Sequence, residues 1–257
     1  MTQNSFWGYK DTVAETVEEG FACFSLPHLI WLAILFTGIV LFTILYKKSN
    51  EKRRDNLRKG MALFIILFEI GKQCVVSLTG APSLPHLPLH ICSFAEYTIL
   101  IDAFWPKNRF FKPLLCYAFL PAALMALLFP TVTIYPPINF YVINLFVLHA
   151  SIIAYIIALY VGGDIRLSYA GVWISTGAIL VLALPMYFIN KAFGTNFMFL
   201  MRHSENPALK FIWNLSGGTG GFAYILGLSL IVLLVFHFVY AVFVVIQKIG
   251  HCKKKAE

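Results

Sequence analysis

The stretch INFYVINLFVLHASIIAYIIALYV, residues 138 to 161, runs for 24 positions without an aspartate, glutamate, lysine or arginine. A helix of that length reaches about 36 Å, enough to cross the ~30 Å hydrocarbon core of a bilayer. It must be a helix, because lipid offers no partner to an open backbone N–H or C=O. Working outward, six more apolar segments fall at about 26–46, 60–79, 87–105, 113–130, 171–189 and 222–246. The third starts among prolines, at Pro85 and Pro88. The expected fold is all-α: a polytopic membrane bundle of about seven helices, forming one integral membrane domain over 1–257.

Composition agrees with that reading. The chain is 59% hydrophobic and 12% charged, against about 25% charged in soluble domains, and its mean hydropathy is +0.76. The formal charge of +8 sits in short connections between apolar segments, where it orients helices and meets anionic lipid, so nucleic acid is not an expected partner. The start, MTQNSFWGYKDTVAETVEEG, is polar and acidic and lacks the basic n-region of a cleaved signal peptide. Five cysteines, at 23, 74, 92, 116 and 252, have no framework spacing, which argues against a disulfide scaffold and a zinc site.

Lysine and arginine placement sets the direction. The connections 47–59, 106–112 and 162–168 and the tail from Lys248 hold 15 of the 20 basic residues. That side is expected to be cytoplasmic, with the N-terminus outside and the chain a multi-pass protein of the cell membrane. The longest connection, Asn190 to Gly221, then faces outward, and its FMFL core is expected to dip into the membrane interface.

Ionisable groups inside apolar segments are expensive and point to function. Glu69 and Lys72, three apart on one helix, are expected to pair. Asp102 is expected at the interface, within reach of Lys107 or Arg109. His237 should bond to a neighbouring helix, and His28 should lie at the outer edge of the first span.

The segment LPLHICSFAEY, 87–97, is harder to explain as packing. On a regular helix His90 and Cys92 point about 200° apart, whereas Glu96 shares the face of Cys92. A base for Cys92 must then come from elsewhere, and His149 has no charged neighbour on its own helix. Counting from the outer ends puts Cys92 about 8 Å and His149 about 16 Å deep, a mismatch that tilt or a break at the prolines has to close.

LPLHIC at 87–92, FVLHASII around His149, FSLPHLIWL near the start and TNFMFL followed by Pro207 resemble the YwaF family of bacterial integral membrane proteins. That family is similar to a eukaryotic multispanning acyltransferase acting on ether phospholipids. The resemblance implies a helical bundle in which a cysteine and a histidine move a fatty acyl chain between lipids. Cys92 would be the nucleophile, His149 or His90 the base, and Glu96 an orienting acid. Candidate lipid-binding residues are Asn196, Arg202, Glu69, Lys72 and His28. Membrane phospholipids are the partners, and no metal or soluble cofactor is required. The competing expectation is a transporter or lipid flippase whose buried charges form a polar path.

Overall fold

The structure is a computed structural model that describes residues 6–9, 20–204 and 206–256, with side chains through Lys248. Lys10, Glu205, the Cys252 side chain and most of the acidic start lie outside the described residues. Among the described residues the regular structure is helical: α1 Leu26–Lys48, α2 Glu51–Thr79, α3 Ile91–Phe104, α4 Phe111–Leu128, α5 Phe140–Gly162, α6 Tyr169–Phe193, α7 Pro207–Leu215 and α8 Phe222–Ala256. Six of these are long and apolar enough to cross a membrane: α1, α2, α4, α5, α6 and α8.

The third expected segment departs from that pattern. Leu84–His86 form a 3₁₀ turn, and His90 is extended at φ −80° and ψ 164°, so α3 begins only at Ile91. Pro85 and Pro88 explain the break: each lacks an N–H to donate, and each biases the residue before it away from helix. The 14 residues of α3 make about 21 Å, less than a bilayer core. The N-terminus of α3 is therefore recessed within the bundle.

A second departure concerns 47–59, expected as a connection. Asn50 caps α2 by accepting from the Arg53 N–H, so most of the basic run is already helix. Only Ser49 and Asn50 separate α1 from α2. Arg54 fastens that junction, donating to the carbonyls of Tyr46, Lys47 and Gly162 at the ends of their helices. Tyr46 donates to Asp164 at 2.8 Å, and the close approach of Gly162 to the Tyr46 ring leaves no room for a side chain.

The core forms around α5, the helix that opened the sequence. Of the 18 most apolar positions of its span 72% are buried, against 11% in α8, whose Leu226, Leu230, Leu234 and Phe238 face outward. Helices α1 to α4 all pack on α5. Within α4, Leu115–Phe119 take π-helical bonding just before Pro121, which has no N–H for a regular helical bond.

Asp102 is a correction to the interface expectation: it is fully buried, accepts from the Tyr155 hydroxyl at 2.9 Å and pairs with Lys112 at 3.3 Å. The start of α4 packs against α3, which brings Lys112 to Asp102 in place of Lys107 or Arg109. His28 lies in the first turn of α1, at the edge of the span as expected, and is buried there. The Phe24 N–H donates to its Nδ1, so Nε2 carries the proton and donates to Leu127 O, each at 2.8 Å. His237 does meet a neighbouring helix, through the Tyr169 hydroxyl at 3.2 Å.

Candidate functional site

The candidate site lies where the recessed start of α3 meets α2, α5 and the 194–206 connection. His90 is the N-cap residue of α3, but its side chain caps nothing. It stands outside the helix, so the 200° separation from Cys92 drawn for a regular helix does not apply. Cys92, in the first turn, is half-buried and is a free thiol. Among the described residues the amide N–H groups of Ile91 and Cys92 have no acceptor, as expected for the first turn of a helix. Glu96 follows one turn later and acts electrostatically on Cys92, in keeping with the shared face read from sequence.

Helix α2 contributes a charged pair. Lys72 Nζ lies 2.8 Å from Glu69 Oε1, as expected from their spacing, and both are largely buried. Gln73 Nε2 donates to the same Glu69 oxygen and to His86 O, each at 2.7 Å, tying the proline-rich turn to α2. Lys72 also acts electrostatically on His90, His149 and Glu96.

His149 enters from α5, and its Nδ1 lies 2.6 Å from Leu145 O. A carbonyl only accepts, so Nδ1 carries the proton and Nε2 of the neutral ring presents a lone pair. His149 acts electrostatically on His90, and Lys72 acts on both.

The depth mismatch shrinks in the folded chain. The Asp102–Tyr155 bond levels α3 against α5. From that bond Cys92 is ten residues toward the opposite end, about 15 Å, and His149 six residues, about 9 Å. The offset along the helix axes is then ~6 Å, and the His149 side chain leans toward the Cys92 end because side chains tilt toward the helix N-terminus. Among the described residues, however, no hydrogen bond joins the Cys92 thiol to either imidazole. Nor does Glu96 orient a histidine: neither of its buried oxygens has a hydrogen-bond partner.

The connection after α6 closes over His90. Its FMF turn folds into the protein instead of the interface, with Phe197 1% exposed and Met198 and Leu200 buried. The rings of Phe197 and Phe199 stand 5.4 and 5.5 Å from that of His90. Met198 and Phe199 both adopt φ 56°, a left-handed conformation costing about 1–3 kcal/mol at each such residue. Asn190 holds them there. Its side chain donates to Phe197 O and accepts from Phe197 N and the Thr195 hydroxyl. Asn196 binds the main chain of Met201 and Arg202, whereas Arg202 itself is exposed. Gln73 and Asn190 had no signal in the sequence, since a polar residue near a helix end is ordinary.

Two apolar grooves open toward the lipid-facing surface. One of about 500 Å³ is lined by Phe94, Tyr97, Thr98, Trp173 and Val181, and one of about 380 Å³ by Phe42, Gly60, Met61, Phe64 and Ser151. The first uses the face of α3 turned away from Cys92 and Glu96, so neither groove leads to the thiol.

An apolar helical bundle enclosing a charged pair, two histidines and a half-buried thiol defines a polytopic membrane protein with a polar interior site. The TMEM164 family, a transmembrane family, matches residues 23–240, and the chain belongs to it. No curated protein and no solved structure matches the chain.

Proposed function

We propose that this protein is a membrane-embedded lipid acyltransferase or acyl hydrolase, with Cys92 as nucleophile and His149 as base. One arrangement supports the reading: a half-buried free thiol in the first turn of α3, beside acceptor-free N–H groups, with a histidine on the neighbouring α5 whose Nε2 presents a lone pair. The two stretches that resemble the YwaF family, LPLHIC and the histidine in FVLHASII, supply these two side chains.

In the proposed step His149 Nε2 takes the thiol proton and the sulfur attacks the ester carbonyl of a phospholipid. The N–H groups of Ile91 and Cys92 receive the negative charge that develops on the carbonyl oxygen. A lysolipid leaves, a thioester remains on Cys92, and a second lipid hydroxyl or water collects the acyl group. The choice of His149 over His90 rests on its fixed tautomer; His90, packed against Phe197 and Phe199, borders the site instead. Lys72, paired with Glu69, sets the electrostatics around the two histidines, and exposed Arg202 beside Asn196 meets lipid phosphate. His28 has no part, because both its nitrogens are engaged by the main chain. The site lies nearer the end away from the basic connections, which by the positive-inside rule is the outer side of the cell membrane. In that orientation α3 and its proline turn make a seventh, incomplete crossing.

The test is turnover of a labelled phospholipid by purified protein in nanodiscs. Wild type moves or releases the acyl chain, while Cys92→Ser and His149→Ala do not; unchanged turnover in both variants ends the proposal. A translocation reading draws on the buried Glu69, Lys72 and Glu96. It is favoured if lipid crosses the bilayer chemically unchanged and Cys92→Ser has no effect.

A further inference from the structure

Glu96 is buried to 1% exposure, and neither carboxyl oxygen has a hydrogen-bond partner. The nearest cation is already engaged, since Lys72 Nζ lies on Glu69 Oε1. A carboxylate so placed would bear the full penalty of an unpaired buried charge, whereas the neutral acid avoids most of it. The resting group is therefore a carboxylic acid with a proton to give. Its side chain leans back along α3 toward Cys92, one turn away and electrostatically coupled to it.

We propose that Glu96 is the general acid and base for the lipid hydroxyl, a catalytic residue that protonates the leaving alcohol and later deprotonates the incoming one. The assignment rests on the acyl-transfer reading and replaces the orienting role expected from sequence. In acylation the Cys92 proton passes to His149 Nε2, a C–S bond forms and the ester C–O bond breaks. The departing alkoxide takes its proton from Glu96, which leaves an imidazolium and a carboxylate around the thioester. In the second half the acceptor hydroxyl gives its proton to Glu96 as its oxygen bonds to the acyl carbon. The C–S bond then breaks, and the sulfur recovers its proton from His149. Protons balance over the cycle, and each half is the reverse of the other.

The experiment compares two acyl donors in the full-length protein, reading acyl-Cys92 by intact mass in a single turnover. A phospholipid donor needs its alkoxide protonated; a 4-nitrophenyl fatty ester releases a stable phenolate that does not. Glu96→Gln is expected to slow acylation by phospholipid by about 10²-fold or more while slowing the nitrophenyl ester by less than about threefold. Glu96→Asp recovers part of the phospholipid rate. An equal loss with both donors, or no loss with either, overturns the assignment. Should wild type form no acyl-Cys92 from either donor, the failure belongs to the acyl-transfer reading itself.

Discussion

Helix α3 carries two buried acids, Asp102 near its end and Glu96 in its middle, and they are treated in opposite ways. Asp102 has a lysine and a tyrosine hydroxyl; Glu96 has neither a cation of its own nor a hydrogen-bond donor. Apolar surroundings tolerate the first because its charge is compensated within the fold. The second has no hydrogen-bond donor and shares Lys72 with Glu69, so its cost is accepted for something other than stability. Substitution should therefore separate the two, damaging the fold at one site and the chemistry at the other.

The largest expected effects fall around Glu96. Cys92→Ala and His149→Ala should each reduce phospholipid turnover to background in a labelled-lipid assay, with melting temperatures near wild type. Glu96→Gln should cost about 10²-fold or more in the same assay. Glu96→Met should lose that activity too, yet raise thermal stability in detergent, because it removes a buried unsatisfied polar group worth about 1–3 kcal/mol. A lower melting temperature for Glu96→Met would mean that Glu96 has partners in the folded state and would dissolve the contrast.

Asp102 should give the converse. Asp102→Leu leaves Lys112 buried and unpaired and should destabilise by about 3–5 kcal/mol, measured by thermal unfolding, while turnover per folded molecule is kept. Loss of turnover without loss of stability would erase the distinction between the two acids. The smallest effect is expected at Asn190→Ala, which removes hydrogen bonds holding the FMF turn over His90, at about 1 kcal/mol each. Faster proteolysis between residues 194 and 206 should report it.

Much of this contrast was beyond the reach of sequence. Glu69 and Lys72 could be paired on paper because three residues on one helix face bring side chains together wherever the helix sits. Asp102 could not, because its partners Lys112 and Tyr155 come from two other helices and the nearer Lys107 and Arg109 were the obvious guesses. The relation of His90 to Cys92 failed for another reason. It assumed regular helix through 87–90, where Pro85 and Pro88 had already marked a break.

By itself the sequence determined that the chain is a bundle of apolar helices, and it singled out the residues that do not suit lipid. Hydropathy and charge act locally, so they can be read residue by residue along the chain. Only the tertiary structure decided that α3 is short and recessed, that the FMF turn packs inward on His90, and which buried acid is compensated. Those outcomes depend on which helices become neighbours, since a buried charge is settled by groups that meet it across a helix interface.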